Sequence, residues 1–128
     1  MREFTLGEIV VTRGIYEKMN CDTLFALEVY KCILKYRKQD WGDTCLEDKI
    51  ENSNALKNGY RIFAVYNINE NTIFIITEAD RQYTTIMFNH EYWDYSPILF
   101  INIFVLSHYN MNYALNDTLV YKSIYKEV

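Results

Sequence analysis

The spacing of apolar and polar residues changes period several times along the 128-residue chain, and each change predicts an element. Residues 4–12, "FTLGEIVVT", read as a half-buried first strand in which Gly7 marks a candidate bulge. A short helix is expected over residues 15–19. Asp22 or Thr23 then caps a longer helix, because Leu24, Leu27, Val29, Ile33 and Leu34 give a broad apolar face at helical period. Lys35, Arg37 and Lys38 fall in its last turn, where positive charge suits the helix dipole. Thr44 with Glu47 three residues on has the form of a capping box for a third helix, helped by Asp48 and ended at Asn58-Gly59.

The period then shortens to that of strands. Residues 60–66, 72–78 and 83–88 are rich in β-branched and aromatic side chains, joined by "NINEN" and "ADRQ", which predicts an antiparallel meander. "HEYWDYSP" is a loop or one helical turn ended by Pro97. "ILFINIFVL" fits a strand or a buried helix, and the tail "YALNDTLVYKSIYKEV" a helix or a terminal strand. This order predicts an α+β fold: an antiparallel sheet of three to five strands with two or three helices packed on one face. A single domain over residues 1–128 accounts for the length, and a second has no room.

Charge and composition narrow the function classes. The net charge is −4, with 13 basic residues against 17 acidic ones, so direct nucleic-acid binding is disfavoured; the strip Lys31, Lys35, Arg37 and Lys38 keeps a local exception open. Cys21, Cys32 and Cys45 are too few for a tetrahedral zinc site and odd in number, which points to reduced thiols in a cytoplasmic protein. The first residues do not resemble a signal peptide, and "PILFINIFVL" is far shorter than the roughly 20 apolar residues of a spanning helix, so no membrane partner is expected. No glycine loop of nucleotide-binding form occurs, and no cofactor is expected. His90 and His108 stand alone in sequence. The 12 tyrosines fit either the codon bias of a low-GC genome or a tyrosine-bearing contact surface.

The chemistry concentrates in "IITEADRQYTTIMF", residues 75–88, and in "DWGD", residues 40–43. Asp40, Asp43, Glu78 and Asp80 could hold a divalent cation for phosphodiester hydrolysis, which needs two or three convergent carboxylates. The structural alternative has Arg81 forking onto Asp40, Asp43 or Asp80 with Trp41 as a core or lid residue and Gly42 permitting the turn. The favoured reading is the second: Asp40, Trp41, Asp43, Glu78, Asp80 and Arg81 form a structural polar cluster, with no catalytic or metal-binding residue assigned.

"FTLGEIVVT", "DWGD", Glu47-Asp48, "NALKNGYRIFAVY" and "IFIITEADRQYTTIMF" followed by "HEY" together resemble a family of small bacterial proteins carried on plasmids and phages. Its members are often labelled plasmid-related, and sometimes as the modification subunit of a type I restriction system. The resemblance covers residues 4–92 and leaves residues 93–128 divergent. Lys35-Tyr36 stands where the family pattern has Arg-His, and Phe74 where it has Trp. With Pro97 as its one proline and no glycine cluster, the chain lacks what an adenine methyltransferase needs. The resemblance implies a standalone domain from a mobile genetic element and no particular activity. A non-enzymatic interaction module is then expected, a stoichiometric anti-defence inhibitor of anti-CRISPR type that docks on a host nuclease effector. Its contacts would be Tyr92, Trp93, Asp94, Tyr95, Tyr109 and Tyr113, and self-association as a homodimer is compatible with such a surface. The competing expectations are the metal-dependent phosphodiesterase above and a plasmid regulator binding DNA through the basic strip of residues 31–38.

Overall fold

The computed structural model describes residues 4–94 and the short strand at 103–105. Strand β1 (Glu8–Thr12) leads into helices α1 (Arg13–Cys21), α2 (Thr23–Arg37) and α3 (Leu46–Asn58). Strands β2 (Ile62–Ile68), β3 (Asn71–Thr77) and β4 (Tyr83–Phe88), a 3₁₀ helix (Asn89–Asp94) and strand β5 (Ile103–Val105) follow. The sheet order is β2-β3-β4-β1-β5, an α+β architecture. The meander β2-β3-β4 is antiparallel as expected, but β1 runs parallel to β4 and antiparallel to β5, so the sheet is mixed. The cause is the crossover: three helices separate β1 from the meander, and such a length lets a strand return in either sense.

Local chemistry sets the helix starts. Thr12 caps α1 by accepting from the Ile15 N–H, and Asp22 caps α2 through Oδ1 at 3.1 Å from the Phe25 nitrogen. α3 departs from expectation. Its N-cap is Cys45, which makes no side-chain cap bond, because the Thr44 hydroxyl is engaged elsewhere: it donates to the Trp41 carbonyl and accepts from the Val65 N–H at 2.8 Å. The helix ends as expected at Gly59, in the left-handed region at φ 74°. β2 and β3 meet in a tight loop, Asn69-Glu70, with Asn69 at φ 55°; this carries β2 on to Ile68, which is buried. Gly7 is not a bulge. It sits at φ 66° where the chain passes so close to the Arg81 and Gln82 carbonyls that a Cβ would collide with them.

Period two divides the sheet into faces. Ile62, Ala64, Tyr66 and Ile68 of β2, Ile73 and Ile75 of β3, Ile86 and Phe88 of β4, and Val11 of β1 join one core cluster with Ile15, Met19, Phe25, Val29, Ile33 and Tyr36 from α1 and α2. Each such aliphatic contributes about 1.5–3 kcal/mol by leaving water. The opposite face carries Val10, Ile76, Thr85 and Met87, all buried, beside Phe63 and Phe74. Tyr92 of the 3₁₀ helix sits edge-on to both rings, at 5.6 and 5.7 Å. Within the core one hydrogen-bonded chain crosses the sheet, in which Tyr36 Oη, Thr77 Oγ1 and Thr84 Oγ1 lie 2.7 Å apart in turn. Thr84 donates to the Leu6 carbonyl at 2.6 Å, and a carbonyl can only accept. The proton order follows: Tyr36 donates to Thr77 and Thr77 to Thr84. Burial in this setting pushes the Tyr36 and Tyr66 hydroxyl pKa values above the ordinary phenol range.

Candidate functional site

The "DWGDT" turn, residues 40–44, lies against the free edge of β2. Trp41 is buried with its ring edge-on to Tyr36 at 5.4 Å and near Phe4 at 6.0 Å, so its place is the core. Asp40 Oδ1 accepts from the Gly42 N–H, and the Tyr66 hydroxyl donates to the Asp40 carbonyl at 2.7 Å. Gly42, at φ 62°, lets the Tyr66 ring come so close that any Cβ would strike it. Beyond this point the turn pairs with the strand. Asp43 N–H donates to Val65 O at 2.9 Å, Thr44 Oγ1 accepts from Val65 N–H, and Asp43 Oδ2 accepts from Asn67 N–H at 2.8 Å.

Nearly two turns into α3, Asn52 completes the series. Its amide nitrogen donates to Phe63 O at 2.8 Å and its oxygen accepts from Phe63 N–H at 3.1 Å, as a neighbouring strand would. The outward groups of residues 63 and 65 and the Asn67 N–H are thereby all satisfied. An edge strand left open is a template for pairing with another chain, and here the motif residues close it. Nothing in sequence marks Asn52, since its role depends on β2 being an edge.

Arg81 does a different task from the one expected. At φ 59° in the β3-β4 hairpin, it directs Nη1 to the carbonyls of Tyr60 (2.7 Å) and Glu78 (3.0 Å) and Nη2 to that of Ala55 (3.1 Å). Ala55 O also accepts from Gly59 and Tyr60 N–H at the C-terminal end of α3, where the helix dipole favours a cation. Carbonyls at a helix end offer convergent acceptors that the planar guanidinium fork can span, and they displace the fork onto Asp40, Asp43 or Asp80 that the sequence suggested. Asp80 instead accepts from Gln82 N–H at 3.0 Å within its own turn. The six-residue cluster thus separates into a Trp41 turn with Asp40 and Asp43 and an Arg81 clasp with Glu78 and Asp80. Among the described residues no three His, Cys, Asp or Glu side chains gather as metal ligands.

The expected contact residues are only partly placed. Tyr92 is half-buried, its ring under the Arg61 guanidinium at 5.8 Å with an Arg61 N–H 3.4 Å from its oxygen. Trp93 and Asp94 belong to the 3₁₀ helix, and Tyr95, Tyr109, Tyr113 and His108 lie outside the described residues. His90 stacks on Phe88 at 5.3 Å. Glu91 was not singled out in the sequence, yet its Oε1 accepts from Thr12 Oγ1 and Phe88 N–H at 2.7 and 2.8 Å and pins the 3₁₀ helix to both strands. Of the thiols, Cys32 is buried and pushed up to about 12, whereas Cys21 and Cys45 are exposed.

Two surface features remain. Residues 40–51 carry Asp40, Asp43, Glu47, Asp48 and Glu51 against Lys49 alone, and this ridge also exposes Leu46 and Ile50 by 73% and 53%. Lys31, Lys35 and Lys38 are exposed on the outer side of α2, where Lys31 pairs with Glu28. No described helix is long and apolar enough to cross a membrane. In comparison with known proteins, no family model, curated protein or solved structure matches the chain.

Proposed function

We propose that the protein is a non-enzymatic interaction module of a mobile genetic element, a stoichiometric anti-defence inhibitor that docks on a host nuclease effector. The observation that carries this reading is the acidic and apolar ridge of residues 40–51. Leu46 and Ile50 project one helical turn apart along the outer side of α3, with the exposed Glu47 and Glu51 flanking them on one side. An apolar pair flanked by carboxylates is complementary to the basic rim of a channel that holds nucleic acid, where it competes with phosphate for Lys and Arg. The motif side chains add support, since Asp40, Asp43 and Arg81, like Thr44 and Asn52 beside them, are engaged with backbone groups of the fold itself.

The test is recovery of a nuclease from a defence-proficient bacterial host on the tagged chain, followed by its cleavage assay with increasing inhibitor. Full inhibition near one equivalent is expected, and Leu46→Ser/Glu47→Lys/Ile50→Ser should abolish it while leaving the thermal midpoint unchanged. Turnover of a nucleic-acid substrate by the chain alone with Mg²⁺, lost in Asp40→Asn, would replace this reading with the phosphodiesterase. A mobility shift on plasmid DNA with steep salt dependence, lost on neutralising Lys31, Lys35 and Lys38, would favour the regulator.

A further inference from the structure

Between α3, the start of β2 and the 3₁₀ helix lies an open groove of about 300 Å³ walled by Asp48, Glu51, Asn52, Arg61, Phe63 and Tyr92. Its aromatic side is a cluster of three rings: Phe63 and Tyr92 meet at 89°, and Phe74 lies 4.7 Å from Phe63 and 5.7 Å from Tyr92. The Asn52 amide is engaged with Phe63, so it offers no free recognition group. Asp48 and Glu51, three residues apart on the exposed side of α3, give two carboxylates against the single guanidinium of Arg61. That guanidinium already lies over the Tyr92 ring. The groove therefore combines a carboxylate surplus with an aromatic face over which a guanidinium already lies.

We propose that this groove receives an arginine side chain from the partner's basic surface, and that Arg61 is the resident cation which the incoming guanidinium displaces from Tyr92. The assignment rests on the ridge being the docking surface, since Asp48 and Glu51 belong to both. Arginine is favoured over lysine because a planar guanidinium stacks on an aromatic ring and meets a carboxylate with two N–H groups at once. The two kinds of wall residue then have opposite effects. Loss of Asp48 and Glu51 weakens binding, whereas loss of Arg61 frees the Tyr92 face and strengthens it.

The experiment titrates blocked tri-arginine and tri-lysine peptides into the ¹⁵N-labelled full chain and follows amide shifts. Saturable shifts centred on residues 48–52, 61–63 and 92 are expected with tri-arginine and weaker ones with tri-lysine. Asp48→Asn/Glu51→Gln should weaken the tri-arginine affinity by about fivefold and Arg61→Ser should tighten it by about threefold, with Asp80→Asn unchanged. Shifts spread over all exposed carboxylates, equal response to both peptides, or weaker binding by Arg61→Ser would overturn the assignment. If tri-arginine saturates the groove but no nuclease is inhibited, the arginine site stands and the anti-defence reading falls. If a nuclease is inhibited through Leu46 and Ile50 while Arg61→Ser and both peptides have no effect, the groove assignment falls alone.

Discussion

Asn52 offers the sharpest test of the edge-sealing arrangement. It is 3% exposed, and its amide meets both backbone groups of Phe63. Asn52→Leu keeps the volume but leaves a peptide N–H and a C=O under α3 without partners. Each unsatisfied group costs about 1–3 kcal/mol, partly offset by the added apolar burial, so a net loss of about 2–4 kcal/mol is expected. In a domain of this size that lowers the thermal midpoint by about 10–20 °C. Asn52→Asp adds a signature that a packing defect would not give. The carboxylate can accept from Phe63 N–H but faces Phe63 O with a second lone pair, so folding favours its protonated form. Its folded-state pKa is then raised above the ordinary value of about 3.9, and the stability it contributes is present at low pH and lost as pH rises through the folded pKa. Urea unfolding followed by circular dichroism from pH 4 to 8 measures both variants, and light scattering after size exclusion reports pairing through the opened β2 edge. Asn52→Leu within about 0.5 kcal/mol of the parent, or Asn52→Asp showing the pH trend of the parent, would refute the assignment.

Four further outcomes follow from the core, the clasp and the thiols. Thr77→Val, nearly isosteric, removes the acceptor of the Tyr36 hydroxyl and should cost about 1–3 kcal/mol by urea unfolding, whereas Tyr36→Phe/Thr77→Val should recover part of that loss. Arg81→Gly relieves a backbone held at φ 59° yet should destabilise by about 1–2 kcal/mol, because the carbonyls of Ala55, Glu78 and Tyr60 lose their shared donor; a more stable glycine variant would show that the clasp contributes little. With an aromatic disulfide reagent, Cys21 and Cys45 should react at once and Cys32 only as the chain unfolds. Since Cys32 rises from 9.0 to about 12 on folding, its contribution is intact below pH 9 and declines as pH rises toward 12, so Cys32→Ala should flatten the alkaline fall of the thermal midpoint.

Sequence pattern was enough for the elements whose signal is local. The caps of α2 at Asp22 and of the α3 end at Gly59 lie where the residue types predicted them, as does β4 from Tyr83 to Phe88. Thr44 shows why the remainder was harder to read. Its spacing to Glu47 satisfies the capping-box rule, but Val65 N–H, 21 residues away, takes the same hydroxyl, and no local pattern registers such competition. The parallel pairing of β1 with β4 is of the same kind, a long-range choice made after three helices. The partners of Arg81 were not legible, because a helix C-terminus becomes an acceptor only once α3 and the hairpin are brought together.

The same competition bears on function. Asp43 and Arg81 stand out in sequence as charges in short turns beside apolar stretches, and each has a backbone partner from a distant element. Charged side chains at strand edges and helix ends are cheap ways to satisfy backbone groups that would otherwise be stranded, so a conspicuous motif of this type is first a sign of fold closure. Recognition chemistry then falls to residues with no such duty. Leu46, Glu47, Ile50 and Glu51 are ordinary helix-surface residues in sequence, and what sets them apart is their exposure along the outer side of α3. A docking surface of this kind can change its residues without disturbing the edge of β2, because Asn52 and Thr44 hold that edge from the inner side of the same helix and turn.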